Sequence, residues 1–353
     1  MEADLTEVLR ERVREAADAG RALSIRGGGT KAFYGRRATG EPLDTAGHRG
    51  ILAYEPTELV LTARGGTPIT EIQAALAGEG QMLPFDPPLF GGEATLGGAV
   101  AAGLAGPRRP WGGAPRDLVL GVRILDGRGR VLRFGGQVMK NVAGYDISRL
   151  MAGAMGTLGV LLEVSVKVLP LPVLERTLVF ELSEDRALAS MREAAGRPLP
   201  LTGAAFLGQR LYLRLAGSEE VLAAHRAALG GELSDEGERF WTDLRDQRLG
   251  FFADPLPLWR LSLPPATPAG VVEGPTLIDW AGGQRWVKTG APAGEIRAKV
   301  AKTGGHAILF RHGDRDGPVF EPLAPALAAI HRRLKAVFDP GGVLGPGRLY
   351  PDL

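Results

Sequence analysis

Apolar positions change their period along the chain. Leu5, Val8, Leu9 and Val13 recur at helical spacing between Glu and Arg, which predicts an N-terminal helix ending near Gly20. A short apolar run predicts a strand over 22–26, and 59–63 predicts another. Gly65-Gly66-Thr67-Pro68 breaks the second strand. Thr67 is placed to cap, and Pro68 to open, a helix carrying Ile69, Ile72 and Leu76 on one face as far as Gly78 or Gly80. Apolar runs at 118–125 and 131–134 flank Asp126-Gly127-Arg128-Gly129, a hairpin signal. A long strand covers 159–169, and Pro170 and Pro172 mark a boundary. Beyond it, strands at 178–182, 211–215, 259–263, 276–280 and 307–310 are interspersed with helices at 184–195, 218–229 and near 293–303. That order predicts an α+β fold whose smaller second domain carries an antiparallel sheet. A last helix covers 323–338, and Asp339-Pro340-Gly341-Gly342 turns the chain.

At 353 residues the chain suits two domains, and its 44% hydrophobic and 23% charged content can bury a normal core. Fifty-one Gly and 26 Pro favour a turn-rich architecture over a helical bundle. Forty-two Lys plus Arg nearly cancel 40 Asp plus Glu, and no basic cluster suits nucleic acid. The absence of Cys excludes disulfides, thiolate nucleophiles, Cys zinc sites and Cys-ligated iron–sulfur clusters within this chain. The acidic N-terminus does not read as a secretory signal, and no apolar run is long enough to span a bilayer. The expected location is the cytoplasm, or the inner-membrane periphery through partners.

The candidate chemistry begins at Arg26-Gly27-Gly28-Gly29-Thr30-Lys31. Three consecutive glycines leave bare amides that can curl around an anion, although such a loop alone reads equally as a surface turn. Gly27, Gly29 and Ala32 also match a dinucleotide fingerprint, but the stretch to Pro42 has no room for the amphipathic crossover helix that fingerprint needs. A nicotinamide site is therefore rejected. Thr95-Leu96-Gly97-Gly98 opens a run of small residues to Gly106, where each Gly costs a helix about 1 kcal/mol relative to Ala. A cofactor against the backbone, or close helix–sheet packing, would compensate. Gly156-Thr157-Leu158-Gly159-Val160 leads into the long strand, with Thr157 placed to donate to a phosphate or flavin oxygen.

This set, in order and spacing over about 20–170, resembles the FAD-binding domain of the vanillyl-alcohol oxidase and p-cresol methylhydroxylase (PCMH) superfamily. The whole chain resembles the family of FAD-binding E subunits of bacterial glycolate oxidase complexes. That likeness rests on Lys31-Ala32-Phe33, Gly80-Gln81-Met82-Leu83-Pro84, 106–111, 138–146 and 338–342. The resemblance implies a two-part PCMH-type FAD-binding domain over 1–172, an α+β cap over 173–320, and a C-terminal helix and tail over 321–353. It implies non-covalent FAD, with Arg26, Gly27, Gly28, Gly29, Thr30, Lys31, Thr95, Leu96, Gly97 and Gly98 around the pyrophosphate. Gly103, Gly156, Thr157 and Val160 would lie along the ribityl and adenine portions, and Pro84, Lys140 and Asn141 complete the set. The family's asparagines are Ala99 and Gly103 here, and its Asn-Pro-Gly is Gly345-Pro346-Gly347.

Oxidation of a 2-hydroxy acid needs a hydride acceptor, a base and cations for the carboxylate. Arg108, Arg109, Lys140 and Arg348 are candidate cations, and His306 and His312 candidate bases; Arg108, Arg109 and His312 are the catalytic candidates retained. Metal-dependent relatives resemble a pattern His-x-Gly-Asp-Gly-Asn-x-x-His with a later Glu-His-Gly. This chain has only His312-Gly313-Asp314-Arg315-Asp316-Gly317, so no metal is expected. The resemblance implies glycolate or a similar 2-hydroxy acid as substrate of the assembly. Its partners would be a second FAD-binding subunit and an iron–sulfur subunit. A stand-alone dehydrogenase and a non-catalytic scaffold are the competing readings.

Overall fold

The computed structural model describes residues 3–136 and 146–353. The N-terminal helix is Thr6–Asp18, with Leu9, Val13 and Ala16 buried. Leu23–Arg26 then pairs in parallel with Glu41–Asp44, from Leu23 opposite Glu41 to Arg26 opposite Asp44. The connection over 27–40 is loop and turn, not helix, so this parallel pair differs from a βαβ unit.

The next layer is a five-stranded antiparallel sheet in the order Ile51–Glu55, Val60–Arg64, Val160–Lys167, Val119–Leu125, Val131–Gly135. It is covered on both faces. Ile69, Ile72, Leu76, Phe85, Leu96 and Val100 pack with Ile124 and Val164 on one side. Leu9, Val13 and Leu23 pack with Leu125, Val160 and Leu162 on the other. The helix expected to open at Pro68 is Ile69–Gly78, with Pro68 itself in the capping position. Thr67 does not cap it: the Thr67 hydroxyl accepts from the Gly50 N–H (2.9 Å) and donates to the Gly50 carbonyl (3.2 Å).

Residues 174–311 form an eight-stranded antiparallel sheet. Its order is Glu232–Leu233, Leu174–Glu181, Arg210–Gly217, Leu201–Leu207, Thr276–Asp279, Gln284–Lys288, Leu258–Ser262, His306–Arg311. The two-residue period of a strand sorts its core. Leu258, Trp286, Ile308 and Phe310 face inward against Tyr34, Ala102 and Leu104. Trp259, Leu261, Val287 and Leu309 face outward beneath Ile296 and Val300 of the helix Ala293–Ala301. Among the described residues no helix is long and apolar enough to cross a membrane.

The helix Pro325–Phe338 ends in a buried polar knot. The Asp339 carboxylate accepts from Lys335 Nζ (2.7 Å), the Val343 N–H (3.0 Å) and the Leu344 N–H (2.8 Å). Lys335 Nζ also donates to the Thr157 (2.9 Å) and Leu344 (2.6 Å) carbonyls. The tail so held lies beside the first strand: the Leu23 N–H donates to the Val343 carbonyl and the Gly345 N–H to the Leu23 carbonyl. Removing one member of a buried ion pair typically costs about 3–5 kcal/mol. Lys335→Met is expected to lose about that much stability in urea unfolding, and a change under about 1 kcal/mol would show the knot to be dispensable.

A second buried acid sits where the large sheet meets the 104–107 loop. Asp279 accepts from the Trp280 N–H (2.7 Å) and from Gln284 Nε2 (3.4 Å), while Gln284 Oε1 lacks a partner. Burial pushes the Asp279 pKa up to about 7, against the pull of the Trp280 N–H and Arg214. A protonated Asp279 can donate to Gln284 Oε1 once that amide is turned over. A raised acid pKa means that the folded protein holds a proton the unfolded chain has released, so this group's contribution falls as pH rises from the ordinary carboxyl range to about 7. Asp279→Asn is expected to gain roughly 2–4 kcal/mol over the parent at about pH 8 and little at about pH 4, read from chemical unfolding at each pH. Destabilisation at the higher pH would show that the carboxylate is wanted there.

Candidate functional site

The glycine loop leaves the strand Leu23–Arg26 and runs along a cleft of about 1100 Å3, measured out to its mouth. Leu23 is locked between Leu43 and Leu344 in the core, so the loop starts from a fixed point. The N–H groups of Gly27, Gly28, Gly29, Thr30 and Lys31 donate to no group among the described residues. Five successive amides without an acceptor among the described residues are the kind of donor set from which an anion-binding nest is made. The loop has little room to be anything but glycine: a Cβ on Gly28 would lie 1.6 Å from the Glu93 carbonyl oxygen, and one on Gly27 2.3 Å from Thr95 Oγ1.

The opposite walls come from two other elements. Thr95, Gly97, Gly98, Ala101 and Ala102 line the cleft from the helix Leu96–Ala102 and its cap. Met155, Gly156, Gly159, Val160 and Leu161 line it from the start of the long strand, and Thr39, Thr45, Gly345 and Arg348 close the rest. Among the described residues no Asp or Glu lines the cleft, while Arg26, Lys31 and Arg348 do. Its electrostatics therefore favour an anion. Burial draws the Lys31 pKa down to about 8, with Asp246 pulling the other way.

Of the residues expected to bind a cofactor, Arg26, Gly27, Gly28, Gly29, Thr30, Lys31, Thr95, Gly97, Gly98, Gly156 and Val160 are brought together here. The amides of Gly97 and Gly98 are engaged elsewhere, by the Gly65 carbonyl (2.7 Å) and Thr95 Oγ1 (3.2 Å), so these residues shape the wall. Close packing accounts for part of the small-residue run: Gly97 packs against Gly65, where a Cβ would stand 2.9 Å from its oxygen, and the neighbouring positions line the cleft. Pro84, Leu96, Gly103 and Thr157 are not in the lining. Leu96 is buried in the core, and Gly103 terminates the helix at φ 63°. Thr157 donates its hydroxyl to the Ala154 carbonyl (2.7 Å) instead of to a ligand. Lys140 and Asn141 lie outside the described residues.

The catalytic candidates do not converge on the cleft. Arg108 makes a two-pronged pair with Glu175 (2.9 and 2.7 Å) across to the large sheet. Desolvation acts against Glu175 ionisation, but Arg108 and Arg214 overcome it and hold the pKa below the usual range. The Arg109 guanidinium lies 4.4 Å from the Trp280 ring. His312 is exposed, and its loop is tied back to the 32–37 segment: Arg37 pairs with Asp316 (3.0 and 3.2 Å), and Arg36 donates to the Asp316 and Gly317 carbonyls. His306 is exposed at the start of the strand His306–Arg311. Among the described residues no group of three His, Asp or Glu is placed to hold a metal.

Sequence reasoning missed Thr45 and Met155 in the cleft, while Ala101 and Ala102 belong to the small-residue run it singled out. Arg348, one of the four candidate cations, donates to the Ala32, Tyr34 and Arg36 carbonyls and so pins the segment after the glycine loop.

Residues 2–135 match the family model described as an FAD binding domain. Over its full length the fold is similar to p-cresol methylhydroxylase, with a TM-score of 0.73 at 14% identity, covering 100% of this chain and 88% of that one. The chain is 34% identical to glycolate oxidase subunit GlcD of Bacillus subtilis (strain 168) over 129 residues, 36% of this chain and 27% of that protein. It is 49% identical to glycolate oxidase subunit GlcE of Escherichia coli (strain K12) over 352 residues, 100% of this chain and 99% of that protein. With that identity sustained from end to end, and with the cleft set in an FAD-binding fold, the chain belongs to the GlcE family of glycolate oxidase subunits.

Proposed function

We propose that this chain is the FAD-holding subunit of a glycolate oxidase assembly that oxidises glycolate to glyoxylate. The observation that carries this reading is the row of five amides without an acceptor, in a cleft with cations and no carboxylate among the described residues. That is the donor set a pyrophosphate dianion requires. Gly27 to Lys31 would take the phosphates, and the Ala101–Ala102 and Met155–Val160 walls would take the flat and ribityl portions. FAD, when bound, supplies the hydride-accepting and electron-passing chemistry. The chain's own residues bind it, orient it and keep water from it. The 1–172 and 321–353 regions form the cofactor body in this reading, and 173–320 its cap.

The same geometry supports a division of labour. Arg108 and Arg109 are committed to Glu175 and Trp280, and the loop of His312 is bound down by Arg36 and Arg37. Among the described residues that line the cleft, no His, Asp or Glu stands ready as a base for a hydroxy acid. The substrate-oxidising centre would then belong to a second flavoprotein subunit. Electrons would leave through an iron–sulfur subunit, since this chain has no Cys to hold a cluster.

Two outcomes test this. Gly28→Ala must push the loop away from the Glu93 carbonyl, so it is expected to weaken FAD binding at least about tenfold, roughly 1.4 kcal/mol, in a flavin fluorescence titration, with far-ultraviolet dichroism retained. Unchanged affinity would remove the loop from the site. The purified chain, reconstituted with FAD, is expected to be yellow yet to show little glycolate-dependent dye reduction until the other subunits are added. Full turnover by the chain alone would overturn the division of labour.

A further inference from the structure

Arg26 and Lys31 are cleft cations that no carboxylate pairs with among the described residues, and of the two Arg26 is exposed while Lys31 is partly buried. The Lys31 ammonium donates to the Thr30 hydroxyl (3.2 Å) and lies 5.5 Å from the Phe90 ring centroid. Asp246, the acid whose field it feels, is already engaged by Arg245 (2.8 Å), by Arg248 (3.4 Å) and by the Leu89 N–H (2.7 Å). The other surroundings are aromatic and cationic: Phe33, Phe90 and Phe310 pack edge-on or tilted within 6.4 Å of one another, and the Arg311 guanidinium lies 3.7 Å from the Phe33 ring and 5.1 Å from the Phe90 ring. Arg348, by contrast, is saturated by main-chain carbonyls.

The direction of the side chain matters as much as its isolation. The Lys31 backbone belongs to the amide row, but its ammonium reaches Phe90 and the field of Asp246, towards the large sheet. That row already supplies five donors for phosphate charge. A desolvated ammonium without a counter-ion is unfavourable by itself and becomes favourable when negative charge arrives beside it.

We propose, resting on the FAD reading above, that Lys31 is a tuning residue that matches the negative charge the flavin acquires on reduction, and so raises its reduction potential. In this role Lys31 discriminates between the two redox states of the cofactor more than it contributes to holding it. A neutral side chain of similar length keeps the packing on Phe90 and removes only the charge.

The test compares the FAD-loaded parent with Lys31→Met and Lys31→Arg. Lys31→Met is expected to lose about tenfold in its preference for reduced over oxidised flavin, a fall of about 30 mV in a dye-equilibrated titration. Its affinity for sulfite, which adds negative charge to oxidised flavin, should fall in parallel, and Lys31→Arg should restore both. Any loss of oxidised-FAD affinity in Lys31→Met should be smaller than its loss of reduced-FAD affinity, the difference being the shift in potential. A large loss of FAD affinity at unchanged potential would make Lys31 a phosphate ligand and overturn the proposal. Unchanged potential and unchanged affinity would overturn it as well. Failure of the parent itself to bind FAD would overturn the cofactor reading, a result distinguishable from either.

Discussion

The site depends on one close approach. The main chain at Gly28 passes so near the Glu93 carbonyl that a single added carbon would overlap it, and Gly27 stands almost as close to Thr95. This packs the glycine loop against the segment that enters the helix Leu96–Ala102, and leaves the loop's amides facing a space without protein acceptors. A side chain at either position would separate the two walls. The glycines here provide proximity first and conformational freedom second, although Gly29 does occupy φ 72°, a left-handed value.

Two polar knots keep that approach in place from a distance. Lys335 and Asp339 tie the last helix to the Thr157 carbonyl and to residues 343–344, and the 343–345 backbone then extends the edge on which the glycine loop begins. Arg108 and Arg214 converge on Glu175, joining the 106–111 segment to the large sheet. Both are largely withdrawn from water, where a pair is worth little as net stability but much as a specification of geometry, because an unpaired member is severely penalised. The tail residues 339–345 are thus part of the site's foundation, although they are more than three hundred residues from the loop.

Elements whose side chains obey a simple period were legible in the sequence. The helix Glu184–Ala195 and the hairpin around 126–129 lie where the pattern places them, because one face of each is uniformly apolar or the turn chemistry is strong. Elements shaped by a particular neighbour were not. Leu201–Leu207 contains Gly203 because the Trp241 ring presses on it, with a Cβ at Gly203 only 2.9 Å from that ring. Gln284–Lys288 buries Gln, Arg and Lys, so its alternation of polar and apolar positions is hidden. The strand Ile51–Glu55 is only partly buried and reads as a loop. At the cleft, the glycine motifs were legible because they need bare backbone. Thr45 and Met155 were not, since ordinary residues become wall only through the fold.

The contrast between the two ends of this chemistry is physical. Anion capture needs amides and a few cations on a rigid loop, and these come from short local segments that survive as a unit. Oxidation of an alcohol needs a base and a carboxylate anchor placed within about 3 Å of reacting atoms. The residues that might have filled those posts hold this molecule together instead: Arg108 in a bidentate pair, Arg109 on an indole, and the loop of His312 under two arginines. A guanidinium fixed by two hydrogen bonds to its own carboxylate gains little by turning to a substrate carboxylate, since the exchange would leave Glu175 with only Arg214 at 3.6 Å and the Thr202 hydroxyl at 2.5 Å. Turning structural cations back into catalytic ones would thus require rebuilding the contact between the large sheet and the 106–111 segment, a change of packing and not of single side chains.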